Sequence, residues 1–188
     1  PCFTPHRATS KPQFMTQRID SLQGFRQTDD FLRARLAFTG GTMMTFVLPA
    51  EGVSVDDLLA DEQRLAQAFA VDANEDEYGF ITYVVPKVAF DTELDLIPAL
   101  ERLGMKTPFS DKADFSNLTA TPAFISMVKQ ESHISWDEEA PKPVRHGYGI
   151  SATSAMIPEG EEVELRLDRP FLFQITSSQG IPLFMGVC

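Results

Sequence analysis

The chain has 188 residues, of which 23% are charged and 43% hydrophobic, a composition that indicates a folded globular protein and excludes a disordered one. Its 16 Lys and Arg residues against 27 Asp and Glu residues give a formal net charge of −11, which disfavours a general nucleic-acid binder because such proteins need a basic face. No apolar run reaches the roughly 18 to 20 residues of a membrane span, and the 2 cysteines are too few for a disulfide framework or a multi-cysteine metal site.

The first part of the chain predicts strands followed by short helices. Residues 31–38 partly alternate between apolar and polar, which indicates a half-buried strand. Gly40-Gly41 is a typical two-residue hairpin turn, and the apolar residues 43–48 follow it as a buried strand. Ser54 is then predicted to cap one or two short helices that end near Phe69.

The middle of the chain alternates between strand and helix patterns. Residues 80–85 are β-branched and aromatic, so they predict a strand that continues through residues 88–90. A helix with apolar residues at near-helical spacing is predicted from a cap at Asp91 or Thr92 to Gly104, the residue that closes it in a left-handed conformation.

A long strand is predicted over residues 123–136, and His133 within it is expected to be a partly buried polar residue. Just before it, Asn117-Leu118-Thr119 has the form of an acceptor for Asn-linked glycosylation, a triplet that often arises by chance.

The least regular stretch of the sequence is residues 137–162, which has neither a helical period nor a clean alternation. A loop of this length inside a compact chain is uncommon and is usually functional or disordered. Three predicted strands, over residues 165–167, 171–175 and 181–187, close the chain. The sequence therefore predicts an α+β fold that is rich in antiparallel strands, with a long exposed loop before the last hairpin.

Motifs for catalysis or metal binding are not evident. The three histidines, His6, His133 and His146, do not stand at metal-ligand spacing. The sequence contains no Gly-x-Ser-x-Gly elbow, no Gly-x-Gly-x-x-Gly turn and no Walker loop. We therefore expect no metal and no cofactor, and an enzyme with an unrecognised site is the weakest hypothesis.

The C-terminal segment 165–175, Leu-Arg-Leu-Asp-Arg-Pro-Phe-Leu-Phe-Gln-Ile, resembles the signature of the serpin family at every position. Its characteristic residues are Asp168, Arg169, Pro170 and Phe171, which mark the fold rather than a catalytic site. Other segments resemble the family in the right order: Thr-Phe-Val-Leu-Pro-Ala-Glu-Gly at 45–52, Val-Pro-Lys-Val at 85–88, Leu-Glu-Arg-Leu-Gly-Met at 100–105, Ala-Asp-Phe-Ser at 113–116 and Leu-Phe-Met-Gly at 183–186.

The resemblance extends over nearly the whole chain but over only about half of a serpin, because a full serpin runs to roughly twice this length. The chain begins at Pro1 without an initiator Met and ends at Cys188 directly after an apolar run. We therefore expect residues 1–188 to be the C-terminal half of a single serpin domain. One of its partners would be the missing N-terminal half of the same fold.

The resemblance implies a secreted, extracellular inhibitor of serine proteases rather than an enzyme, with no nucleic-acid or membrane partner. In this family a protease attacks a bait loop and forms an acyl-enzyme, and the cut loop then inserts as a new strand into the main sheet. The irregular stretch 137–162 lies where this reactive-centre loop belongs, after a long strand and before the signature strand.

The hinge of the bait loop would consist of Glu138, Glu139, Ala140 and Pro141. The two glutamates match the family pattern, whereas Ala140 stands where the family usually has Gly. Pro141 and Pro143 each remove a backbone donor, and Arg145 would bring a charge toward a packed interior. These departures leave open the alternative of a non-inhibitory serpin that acts as a carrier, chaperone or interaction module.

The scissile bond is predicted by spacing. Counting forward from Glu138 places it near Ser154-Ala155, whereas counting back from Pro170 gives Glu159-Gly160. The favoured region consists of Ala152, Thr153, Ser154, Ala155 and Met156. Its small side chains suit an elastase-like pocket, and Met156 suits elastase- or chymotrypsin-like pockets. A lower-ranked alternative makes residues 149–155 a displaced hinge.

Overall fold

A computed structural model describes residues 13–19, 22–38, 40–70, 76–136 and 160–188. The described chain divides into two compact units, one formed by residues 89–135 and one by the described residues on either side of them. The elements in chain order are β1 (Phe14–Arg18), β2 (Gln23–Gln27), β3 (Phe31–Ala37), β4 (Met43–Pro49), α1 (Val55–Ala60), α2 (Glu62–Phe69), β5 (Glu77–Pro86), β6 (Val88–Asp95), α3 (Ile97–Arg102), a 3₁₀ turn (Thr107–Phe109), β7 (Lys129–Trp136), β8 (Glu161–Arg166), β9 (Leu172–Thr176) and β10 (Pro182–Val187).

The first unit is built on a sheet in the order β1-β5-β2-β3-β4-β9-β10, with β8 paired to β5. Strand β1 runs antiparallel to the last residues of β5, and β2 runs antiparallel to its first residues. Strand β8 runs parallel to β5. Because Gly79 pairs with both Gln23 and Glu161, β8 occupies the edge of β5 opposite to β2. Strand β5 is therefore the element that positions β8.

Two hairpins confirm the strand predictions for this sheet. Gly40 and Gly41 join β3 to β4 with φ angles of 99° and 87°, which glycine adopts without the clash of a Cβ atom. Strands β9 and β10 form the closing antiparallel hairpin. The α+β prediction, rich in antiparallel strands, is correct.

Each of the two helices in the first unit begins at a residue whose side chain caps the helix. The Ser54 hydroxyl accepts a hydrogen bond from the Asp57 amide at 3.1 Å, and the Asp57 carboxylate accepts one from the Ser54 amide at 2.9 Å. This reciprocal capping box confirms Ser54 as the cap of α1. Asp61 caps α2 in turn, and Leu58 and Ala68 pack with the buried side chains of Phe31 and Val47.

In the second unit, the helix predicted from Asp91 or Thr92 is wrong for its first part. Strand β6 continues to Asp95, and α3 begins only at Ile97, with a proline in its first turn. The reason is pairing at long range: β6 forms a two-stranded sheet with β7 and shares ion pairs with it. The expected end of the helix is correct, since Gly104 has a φ of 97°.

The long strand predicted over residues 123–136 is also shorter in the structure, where β7 covers only Lys129–Trp136. A strand needs a hydrogen-bonding partner along its length. The pairing partner of β7 is β6, and it ends where the Leu96 amide donates to the Val128 carbonyl at 2.8 Å, because α3 begins at the next residue. The expectation that His133 is partly buried is wrong. Its side chain is 64% exposed, and its Nδ1 lies 2.6 Å from Asp91 Oδ1.

Aromatic side chains fill the core of the first unit. Phe46 contacts the rings of Tyr83 and Phe171 at centroid distances of 6.4 and 6.1 Å. Cys188 is fully buried and disulfide-bonded, while the other cysteine, Cys2, lies outside the described residues. None of the helices in the described part of the chain is long and apolar enough to cross a membrane.

Candidate functional site

The four signature residues form the turn that joins β8 to β9. Phe171 is fully buried, and its backbone pairs with that of Cys188 through hydrogen bonds of 3.0 and 2.9 Å. Asp168, Arg169 and Pro170 are exposed, and the Arg169 guanidinium donates to the Pro49 carbonyl at 2.9 Å. The turn is thus tied to the end of β4 and to the last residue of the chain, which explains its role as a fold marker.

A small cavity of about 320 Å³ lies beside this turn, a size near the lower end for ligand sites. Its walls carry side chains of both charge signs as well as apolar ones, so it does not select one ligand chemistry. It is lined by Gln27, Thr28, Phe31, Leu32, Leu48, Pro49, Ala50, Glu51, Glu164, Arg166, Asp168 and Arg169.

The last residue of β7, Trp136, fixes one end of the segment predicted to be the bait loop. Its indole Nε1 donates to the Pro86 carbonyl at 2.7 Å, and its ring packs edge-on against Phe173 at 5.2 Å. The side chain is only 8% exposed. A buried indole with a satisfied N–H is held in one orientation, so the chain leaves β7 beside the end of β5.

The predicted end of the irregular stretch at residue 162 is wrong, because β8 begins at Glu161 and pairs with β5. The start of β8 is fixed at the opposite end of β5. A Cβ atom on Gly79 would lie 2.5 Å from the Glu161 carbonyl oxygen, and one on Gly160 would lie 2.5 Å from Leu22 Cδ2. At Gly79 the neighbouring atom belongs to the backbone, so glycine is required there for this close approach, whereas the neighbour of Gly160 is the end of a side chain that can move. Since Gly79 and Pro86 belong to one extended strand, the two attachment points are separated by roughly 23 Å at about 3.3 Å per residue.

Strand β8 presents an acidic outer face next to the segment. Val163 and Leu165 point into the core, whereas the glutamates that alternate with them are exposed. Glu162 accepts from the Arg18 guanidinium at 2.6 Å, and Arg18 also lies 5.4 Å from the centre of the Phe80 ring. Exposed ion pairs of this kind each contribute at most about 1 kcal/mol, so they shape the surface charge more than the stability.

The residues predicted for the hinge and the scissile bond are not among those that the structure describes. Glu138, Glu139, Ala140 and Pro141 lie outside the described residues, as do Ala152, Thr153, Ser154, Ala155 and Met156. The structure therefore describes the two flanks of the predicted loop and the signature turn that follows it.

A buried ion pair was not predicted from the sequence. Arg33 on β3 donates to the carboxylate of Asp76, the residue before β5, and the side chains of both are 1% exposed. Arg35 donates to the other oxygen of the same carboxylate at 2.9 Å. Arg33 also donates to the carbonyl of Ala70 at the end of α2. The cluster thus connects β3, α2 and the start of β5.

Burial dominates the electrostatics of this cluster. It lowers the pKa of Arg33, and the Asp76 charge opposes that shift. The Arg33 Nε atom has no hydrogen-bond partner within the described residues. The alternation that predicted β3 places Arg33 and Arg35 on one face of the strand; this spacing predicts that the two side chains lie close together but does not identify Asp76 as their partner.

Comparison with known proteins identifies the family. Residues 2–188 match the family model described as Serpin (serine protease inhibitor). The chain belongs to the serpin family. The match confirms the resemblance that rests on segment 165–175 and extends over almost the entire chain.

Similar curated proteins include several that are named as inhibitors. Serine proteinase inhibitor 2 of cowpox virus is 26% identical over 161 residues, which cover 84% of this chain and 45% of that protein. Plasminogen activator inhibitor 1 of Neovison vison is 35% identical over 106 residues, which cover 55% of this chain and 25% of that protein. The chain therefore spans less than half the length of these serpins.

Solved serpin structures share the fold. Uncleaved ovalbumin superposes with a TM-score of 0.74 at 22% identity, covering 100% of this chain and 47% of that chain. The native thermophilic serpin tengpin gives a TM-score of 0.71 at 25% identity, covering 95% of this chain and 46% of that chain. The observed sheets and few helices are those of the C-terminal portion of a serpin.

Proposed function

We propose that residues 1–188 are the C-terminal half of a single serpin domain and that the whole protein inhibits a serine protease outside the cell. The role is to be cleaved by an enzyme rather than to act as one. The observation that carries the proposal is the position of residues 137–159 between two fixed points, Trp136 and Gly160, and directly before the strand that leads into the signature turn. The inhibitors among the similar proteins support it.

The spacing of the two anchors suits a bait loop. The anchors are separated by roughly 23 Å along β5, whereas residues 137–159 would span about 75 Å if fully extended. The segment is therefore about three times longer than the shortest connection requires, and this excess length allows it to enter the cleft of a protease. After attack, the acyl-enzyme is trapped when the cut loop inserts into the main sheet.

The target is proposed to be an elastase- or chymotrypsin-like serine protease. This preference rests on the small side chains of residues 152–155 and on Met156, which fit shallow or apolar specificity pockets. Because β8 presents exposed glutamates beside the loop, a protease with a basic rim would associate faster at low ionic strength.

The test is incubation of the full-length protein with an elastase and a chymotrypsin. We expect a complex that survives SDS, and a released peptide whose new N-terminus lies within residues 153–157. Ser154→Glu places a charge that a shallow apolar pocket rejects, so it should abolish the elastase complex. Arg145→Gln is the matched control, since it changes a charge in the same loop and should leave the complex intact. Absence of a covalent complex with every protease tested would exclude inhibition.

A second candidate function is that of a non-inhibitory serpin, favoured by Pro141, Pro143 and Arg145. A central strand loses a hydrogen bond at each proline, and a buried unpaired guanidinium is destabilising by several kcal/mol. This alternative predicts cleavage without a covalent complex, and a melting temperature that cleavage does not raise.

A further inference from the structure

An exposed turn in the second unit carries the acceptor triplet found in the sequence. The amides of Leu118 and Thr119 both donate to the Phe115 carbonyl, at 2.8 and 3.0 Å, and the Ser116 amide donates to Asp114 Oδ1 at 3.0 Å. The backbone of the turn is thus satisfied by its own residues. Asn117 lies at the tip of this turn.

The side chain of Asn117 is open to solvent. Asn117 is exposed, its side chain makes no hydrogen bond or ion pair within the described chain, and the neighbouring Leu118 is 85% exposed. Replacing or extending the Asn117 amide therefore disturbs no contact of the described fold. An exposed turn is the surface setting in which an Asn-x-Thr triplet can carry a glycan.

We propose that Asn117 is a site of Asn-linked glycosylation. In the transfer, the Asn117 amide nitrogen forms a bond to the anomeric carbon of a sugar whose diphosphate-lipid carrier leaves. The nitrogen gives up one proton to solvent, and no oxidant or reductant is required. Thr119 completes the triplet, and its hydroxyl oxygen accepts from the Thr121 amide at 3.2 Å while its proton is free to be donated.

The chain contains few asparagines, which simplifies the test of this proposal. Asparagine occurs at two positions, 74 and 117, and Asn74 is followed by Glu75 and Asp76, so only Asn117 stands in an acceptor triplet. A glycan found within residues 1–188 can therefore be assigned to Asn117.

This inference goes beyond protease inhibition and is tested without a protease. The chain, in its full-length form, is expressed behind a secretory signal in eukaryotic cells, and its mobility is compared before and after treatment with a glycosidase specific for Asn-linked glycans. We expect a decrease in mass that is smaller by one glycan in the Asn117→Gln variant. We also expect the peptide 113–129, released by trypsin after Lys112 and Lys129, to carry Asp at position 117 after the glycosidase.

Variants separate the triplet from general effects on folding or export. Asn117→Gln and Thr119→Ala should each reduce the mass decrease by one glycan, whereas Thr119→Ser keeps the triplet and should retain the full decrease. Asn74→Gln is the matched control and should also retain it. An Asn-Gly-Thr tag placed at the C-terminus of the full-length protein reports entry into the glycosylating compartment. A glycosylated tag together with an unmodified peptide 113–129 would overturn the proposal.

Discussion

Replacing Asp76 with Asn probes the buried ion pair that joins β3, α2 and β5. The substitution keeps the shape and one oxygen acceptor of the side chain but removes its negative charge. The guanidinium of Arg33, with only 1% of its side chain exposed, would then be buried without a counter-ion. Arg35 is less affected, because 24% of its side chain is exposed and water can solvate it.

The expected loss follows from this difference in burial. Breaking a buried ion pair by removing one partner is destabilising by about 3 to 5 kcal/mol. Since a domain of ordinary stability unfolds with about 5 to 15 kcal/mol, this single neutralisation removes a large share of the total. Replacing both partners together, as in Arg33→Met with Asp76→Leu, removes the buried guanidinium along with its counter-ion and leaves only the partly solvated Arg35 unpaired, so it should recover most of the loss.

Urea unfolding measures these effects as changes in the transition midpoint at constant slope. Glu162→Gln is the matched control, because it breaks an exposed ion pair: the side chain of Glu162 is 63% exposed and that of its partner Arg18 is 48% exposed. This substitution should change the free energy of unfolding by at most about 1 kcal/mol. The reasoning is refuted if Asp76→Asn destabilises no more than Glu162→Gln, or if the double replacement is as unstable as Asp76→Asn alone.

Three further changes test separate parts of the fold. Gly79→Ala should lower the free energy of unfolding by about 1 to 3 kcal/mol, because the added Cβ would lie 2.5 Å from a backbone oxygen. Gly24→Ala is its control in the same urea assay: the added Cβ would lie 3.4 Å from its nearest neighbour, so the effect should be much smaller. Burial raises the pKa of Tyr83 in the folded protein, so this tyrosine ionises first in the unfolded chain. The free energy of unfolding should therefore fall above about pH 10, by up to about 1.4 kcal/mol per pH unit. Melting temperatures measured across this pH range should fall less steeply for Tyr83→Phe. Ser54→Ala should lower the stability by about 1 kcal/mol through loss of the α1 cap, and Ser54→Thr, which keeps the hydroxyl, should retain most of it; equal melting temperatures for all three proteins would contradict the capping argument.

Features that depend on neighbouring residues could be predicted from the sequence. The Gly40-Gly41 hairpin, the Ser54 cap and the closing hairpin each follow from a few adjacent residues, and the structure confirms them. The signature residues were also recognisable, because a family pattern is itself a local sequence.

Features that depend on distant partners could not be predicted in the same way. Leu94 and Ile97 have helical spacing, yet β6 continues to Asp95 because β7, far along the chain, pairs with it. Likewise, no local pattern connects Arg33 to Asp76, which comes together with it only when β3 and β5 enter one sheet. The hinge and scissile residues remain predictions.

Thermal unfolding of the full-length protein before and after a single cut within residues 152–156 tests serpin-type inhibition most directly. A bait loop that inserts as a new strand adds backbone hydrogen bonds and buried surface, so the cut protein should melt at a clearly higher temperature than the intact one. A melting temperature that stays unchanged or falls after cleavage would contradict insertion, and with it the proposed trapping of the protease.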